Sequence, residues 1–146
     1  MGQKVALPHY KLKQALLYGK ENRPAELSKY GYKYMEAGWL SDAVDFFKKA
    51  RDKEGLGKIE TISIEEGDVF LFRKATRAAG STPDKQQWKT IGDNARKLEK
   101  LQFAREAYRM AGDLKAMDQI DEMINPRQEE QEEQEEGAVV EASYED

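Results

Sequence analysis

Apolar side chains recur through residues 1–125 at the i, i+3, i+4, i+7 spacing of a one-sided helix: Leu12, Ala15 and Leu16; Ala43, Phe46, Phe47 and Ala50; Ala104, Ala107, Tyr108 and Ala111. No segment alternates convincingly as a strand does. Thr61-Ile62-Ser63-Ile64 has strand-like composition but no second strand to pair with, so helix is predicted there too. Pro24 and Pro83 are placed at first helical positions, with Thr82 as the hydroxyl cap before the second; Ser41 is likewise read as a cap. Glycines at 19, 38, 55, 67, 80 and 112 read as helix stops or tight turns, and Asp68 after Gly67 as a helix N-cap. The prediction is an all-α chain of about eight short helices. An end helix is expected over 12–19, and another over 114–124 with Met117, Ile120 and Ile124 inward. Asn125-Pro126 closes the helical region, because a residue before proline is pushed out of helical geometry. The expected division is 1–23 as an N-terminal end helix, 24–125 as a repeat domain and 126–146 as a tail.

The chain also repeats. Displaced by 61 positions, residues 31–59 align with 92–120 without a gap: Gly31/Gly92, Ala43/Ala104, Ala50/Ala111, Asp52/Asp113 and Ile59/Ile120 are identical, and Leu40/Leu101, Asp45/Glu106, Phe47/Tyr108, Lys48/Arg109 and Leu56/Met117 are matched in chemistry. Between them, Leu71-Phe72-Arg73-Lys74-Ala75 repeats Phe46-Phe47-Lys48-Lys49-Ala50 at an offset of 25. That offset makes the middle copy about seven residues short, with Asp68 in place of the small alanine.

Trp88-x2-Ile91-Gly92-x2-Ala95 followed by Ala104-x3-Tyr108-x2-Ala111 resembles the tetratricopeptide (TPR) signature, and Leu27-x2-Tyr30-Gly31-x2-Tyr34 with Ala43-x3-Phe47-x2-Ala50 resembles it equally well. The spacing has a physical reason: a glycine on one helix and a small alanine on its partner let the two approach, while large side chains fill the gaps beside them. The resemblance covers residues 24–118 and implies a TPR-like right-handed stack of antiparallel helix pairs with a distorted middle pair. Both full copies lack the family's proline near the end of the second helix; Gly55 and Ala116 stand there. In this family the first helix of each pair lines a concave, peptide-binding face. Carried over, that face presents Ser28, Tyr32, Met35 and Glu36 from the first copy and Lys89, Asp93, Arg96, Lys97 and Lys100 from the last. Tyr32, one residue after Gly31, is expected to point away from the packed side. The family's carboxylate-binding lysine is followed four residues later by asparagine; Lys89 is followed by Asp93, so capture of a free C-terminus is not expected.

Charge sharpens the division. The chain of 146 residues carries a net −4, with 36% charged residues and a mean hydropathy of −0.88. Residues 126–146 hold nine acidic residues against Arg127, a net −8, so residues 1–125 carry +4, with 23 basic against 19 acidic residues. The run 128–136 is only Gln and Glu and is expected to be disordered or a frayed helix extension. Twenty-one flexible residues reach about 25 Å r.m.s., so the tail is expected to reach the basic end of the groove around Arg96.

Candidate chemistry is sparse. No cysteine and one histidine, His9, leave no disulfide, thiolate or His-pair zinc site, and no cofactor is expected. Asp42, Asp45, Asp52, Glu99 and Glu106 fall on polar helix sides, and His9 reads as a surface imidazole. No phosphate-cradling glycine loop occurs. Trp39, Trp88 and the tyrosines are placed mostly in the core. An enzyme is not expected. Lys and Arg are mixed with acids along nearly every helix, unlike the stripe that releases counterions from nucleic acid, so nucleic acid is a minority reading. With no apolar run near the roughly 20 residues of a membrane span, and no signal-peptide pattern, a cytoplasmic chain is expected. The functional expectation is a protein-interaction module or adaptor that binds a partner segment on the concave face, modulated by its own tail. The rival is a self-associating homo-oligomer.

Overall fold

The structure, a computed structural model, describes residues 7–19 and 23–126. Among the described residues there are eight α-helices and no strand: α1 Tyr10–Tyr18, α2 Pro24–Glu36, α3 Leu40–Ala50, α4 Lys53–Glu66, α5 Val69–Ala79, α6 Lys85–Lys97, α7 Leu101–Ala111 and α8 Leu114–Ile124. Both predicted end helices are present, and Thr61-Ile62-Ser63-Ile64 lies within α4. None of these helices is long and apolar enough to cross a membrane.

The joints explain why the elements are so short. Arg51, Gly67 and Gly112 each adopt the left-handed conformation that ends a helix, and the next residue, Asp52, Asp68 or Asp113, accepts a backbone N–H of the following helix through its side chain. At each, a six-to-one bond closes the turn: the amides of Asp52, Asp68 and Asp113 donate to the carbonyls of Phe47, Ser63 and Tyr108. One residue thus stops a helix and its neighbour starts the next, and a two-residue joint of this kind folds two helices back onto each other. α6 is started differently. Asp84 and Gln87 form a reciprocal capping box, so Pro83 lies before the cap rather than at the first helical position, and Thr82 is not the cap. Ser41 falls inside α3, where its carbonyl and hydroxyl oxygens accept from Lys74 Nζ.

α2 packs on α3, α4 on α5 and α6 on α7; the pairs stack through α3 against α4 and α5, and through α4 against α6, while α1 rests on α3 and α8 on α7. One apolar cluster joins α1 to α5 around Phe46, Phe47 and Leu56; a second joins Val69 and Phe72 to Trp88, Ile91 and Ala107; a third gathers Ala95, Ala104, Tyr108 and Ile120. Ile120 is fully buried, with Met117 and Ile124 against the same cluster, as the pattern predicts. A side chain at Gly67 would lie 2.5 Å from the backbone of Ala95, so α4 ends in direct backbone contact with α6. Asn94 and Lys100 then donate to the last α4 carbonyls, those of Ile64 and Glu66.

The middle pair is not shortened. α3, α5 and α7 each span 11 residues, and α4 starts 29 residues after α2, α6 32 after α4, and α8 29 after α6. The sequence match at offset 25 is displaced by one helical turn from the structural equivalence. In the true register Phe72 takes the place of the small Ala43 and Ala104, while Thr76 takes the place of the large Phe47 and Tyr108. Both are buried. Large and small have exchanged places along α5, which conserves the volume between helices, the change cores tolerate best. Gly55 is no helix stop: it lies in the first turn of α4, beneath Phe47.

Candidate functional site

The side chains predicted for the concave face are largely committed within the molecule. Tyr32 does not point away from packing; its ring meets Phe47 edge-on at 4.9 Å between centroids, and Lys58 Nζ lies 4.9 Å over it. Ser28 is half-buried, and Met35 is half-buried against the first cluster. Asp93 accepts the Tyr108 hydroxyl at 2.5 Å, Arg96 donates to Gln119 on α8 at 3.2 Å, and Lys100 donates to the Glu66 carbonyl. Glu36, Lys89 and Lys97 are exposed. α4 lies between α2 and α6, so the α2 residues and the α6 residues are not brought together. The predicted contact between the acidic tail and Arg96 falls outside the described residues.

A different surface gathers aromatic side chains. Trp39, Phe70 and Phe103 line one cavity of about 640 Å³ with Leu40, Leu71 and Lys74. Trp39 is 58% and Phe70 50% exposed, against 6% for Trp88. These residues sit where α3, α5 and α7 begin, so the stacking of the second helices brings their first turns into a row. Trp39 occupies the N-cap of α3 and makes no side-chain cap bond. A Ser or Asp in that place is worth about 1 kcal/mol to a helix, so the indole neither caps the helix nor fills the core. Phe70 stands edge-on to Phe103 at 5.3 Å, with the Arg73 guanidinium 5.6 Å from its ring. The placement of Trp39 in the core, expected from its position, is therefore corrected. Periodicity gives no warning, because Trp39 and Phe70 lie at a joint and in the first turn beside it.

The same groove changes character along its length. Past Phe70, a second cavity of about 420 Å³ between α3 and α5 is lined by Lys48, Arg73, Lys74 and Arg77, with Asp45 the one acid. Lys74 pairs with Asp45 at 3.0 Å, and Arg73 with Glu106 at 2.6 Å, so two consecutive residues of α5 tie it to both neighbours. Bonds from Arg109 and then Arg73 hold the Glu106 carboxyl at about 2, far below its ordinary range. Lys48 and Arg77 make no ion pair among the described residues. Their place in the last turns of α3 and α5 favours cations on its own account, through the negative ends of the helix dipoles. The groove thus runs from an aromatic mouth at the N-terminal ends of α3 and α5 to a cationic floor at their C-terminal ends.

No protein-family model matches this chain, and no curated protein or solved structure matches it.

Proposed function

We propose that this chain is a TPR-like helical-repeat module, a non-enzymatic adaptor of the cytoplasm, that binds a segment of another protein. The observation that carries the reading is the pair of exposed rings, Trp39 and Phe70, that with half-buried Phe103 form a row above the α3/α5 groove. Exposed tryptophan at the centre of an apolar patch, rimmed by polar groups, is the composition of binding hot spots. The repeat supports the family reading, since Gly31 meets Phe47 and Gly92 meets Tyr108 in the same way. The α3/α5 groove is the main ligand surface in this reading. The α2/α4/α6 face, with Glu36, Lys89 and Lys97, is secondary.

Side-by-side capture from source-cell extract by the native chain, by Trp39→Ala/Phe70→Ala and by Lys89→Ala/Lys97→Ala tests it. Partners lost with the first variant alone support the assignment; loss with the second alone moves the ligand to the other face, and retention by both ends the proposal. A second reading, self-association through the end helices, is favoured by Tyr10 and Tyr18 at 75% exposure on α1 and Leu114 at 71% on α8. Light scattering at two concentrations separates it from a monomeric adaptor.

A further inference from the structure

The last residues of the sequence have a composition unlike the Gln/Glu run before them. Ala138-Val139-Val140-Glu141-Ala142-Ser143-Tyr144-Glu145-Asp146 joins bulky apolar side chains to three carboxylates. An aromatic mouth followed by a cationic floor is the surface such a segment fits. We infer that the α3/α5 groove is occupied by this chain's own residues 138–146, with Val139 and Val140 over Trp39 and Phe70 and the final acids over Lys48 and Arg77. The inference rests on reading the groove as a ligand surface, and adds that the surface carries its own competitor.

Where the chain leaves the fold makes this geometrically direct. α8 runs back along α7, so its end lies at the start of α7: Arg105 pairs with Asp121 at 2.5 Å, and Ile124 and Asn125 share a cavity with Gln102 and Arg105. Gln102 adjoins Phe103, which lines the aromatic mouth. The tail therefore departs from the edge of the stack where the mouth opens. From α7 across α5 to α3 is two interhelix steps of about 8–10 Å each. Twelve residues, the number from 127 to 138, give a random-coil reach of about 19 Å r.m.s., which matches that distance. Within the segment, Val140 to Glu145 extended covers about 16 Å, the length of an 11-residue helix at about 1.5 Å per residue. So the apolar residues and the acids reach opposite ends of the groove together.

Charge complementarity fixes the direction. The mouth is lined by Asp42, Glu66 and Asp68 besides its aromatics, so it disfavours acids, whereas the floor holds four cations to one acid. A segment entering with Glu145 and Asp146 last brings two of its three carboxylates to the floor. Tethering supplies an effective concentration on the order of millimolar, so a contact of about 1 mM affinity is half-populated in the native chain.

The two tryptophans make the test simple. In the full 146-residue chain the indole N–H spectrum has two signals, Trp39 and, as buried control, Trp88. Val139→Ser/Val140→Ser/Tyr144→Ser keeps every charge. It is expected to shift the Trp39 signal and leave that of Trp88, and a synthetic peptide of residues 137–146 added at millimolar concentration is expected to restore the native position. If the triple variant leaves Trp39 unmoved while the added peptide shifts it, the groove takes this segment only when it is supplied in excess and the native tail does not occupy it, so this inference falls while the proposed function stands. If neither moves Trp39, this inference falls, and the proposed function rests on the capture comparison with Trp39→Ala/Phe70→Ala. If the native Trp39 signal follows protein concentration, the tail of a second copy is the occupant and the intramolecular assignment is overturned.

Discussion

The first and last helix pairs solve one packing problem with different chemistry. In both, a glycine on the first helix faces a ring on the second: a Cβ at Gly31 would lie 2.6 Å from Phe47, and one at Gly92 2.7 Å from Tyr108. The residue after each glycine completes the contact. In the first pair it is Tyr32, edge-on to Phe47; in the last it is Asp93, which accepts the Tyr108 hydroxyl. Phe47 is also pressed against Gly55, whereas the equivalent position beside Tyr108 is Ala116. The hydroxyl that Phe47 lacks and the carboxylate that Tyr32 replaces come as a set. What the repeat holds constant is therefore the close approach at the glycine, and the neighbouring pair varies as a unit around it.

Removing the rings gives the largest effect on this comparison. Phe47→Ala and Tyr108→Ala should each cost about 3–5 kcal/mol in denaturant unfolding; if one is near neutral, the two pairs are not energetic equivalents. Next is the approach itself. Gly31→Ala should cost about 1–3 kcal/mol by overpacking, and much less in a Phe47→Leu background; equal costs in both backgrounds would show that the ring is not what excludes the methyl. Tyr108→Phe should cost about 1–2 kcal/mol, since it leaves Asp93 without its donor, and it should alter the alkaline limb of stability. Burial, reinforced by the bond to Asp93, pushes the Tyr108 phenol up to about 12. A raised folded-state value means the contribution is whole below pH 10 and is lost as pH rises from 10 through about 12. The variant should lack that slope, and a Phe47 substitution should leave it in place.

The smallest expected effect concerns the acidic residue that each flanking helix, α3 and α7, offers to α5. Glu106 on α7 and its counterpart Asp45 on α3 both bind α5, one through Arg73 and the other through Lys74. With the Glu106 carboxyl held at about 2, its contribution is whole above pH 4.5 and disappears as pH falls through about 2. Solvent screening at its exposed edge keeps that contribution near about 1 kcal/mol. Glu106→Gln should flatten stability between pH 4.5 and 2 in an acid titration followed by circular dichroism; an unchanged slope would place the acid sensitivity elsewhere.

Helix number, the end helices and the paired glycines were legible because each is a local or periodic signal. The register of the middle pair is hidden in the sequence because a run of similar residues, Leu71-Phe72-Arg73-Lys74-Ala75, lies one turn before its structural equivalent, and only the helix ends show the displacement. Tyr32 was misplaced for a related reason: its neighbour Gly31 marks the packed side of α2, but α4, contributing Lys58, closes over the next position as well. The aromatic row was invisible to pattern because Trp39, Phe70 and Phe103 come from three different helices, and the stack alone makes them neighbours.

The joints also decide where this molecule tolerates change. Three of its connections have no residue to spare, since one residue ends a helix and the next begins another. Residues 80–84 form a looser joint: Gly80 stops α5, Asp84 starts α6, and Ser81 and Thr82 between them are exposed. A splice of foreign sequence, or the cut of a protease, meets least resistance there. The chain can thus be lengthened or nicked between its second and third pairs without unseating a cap.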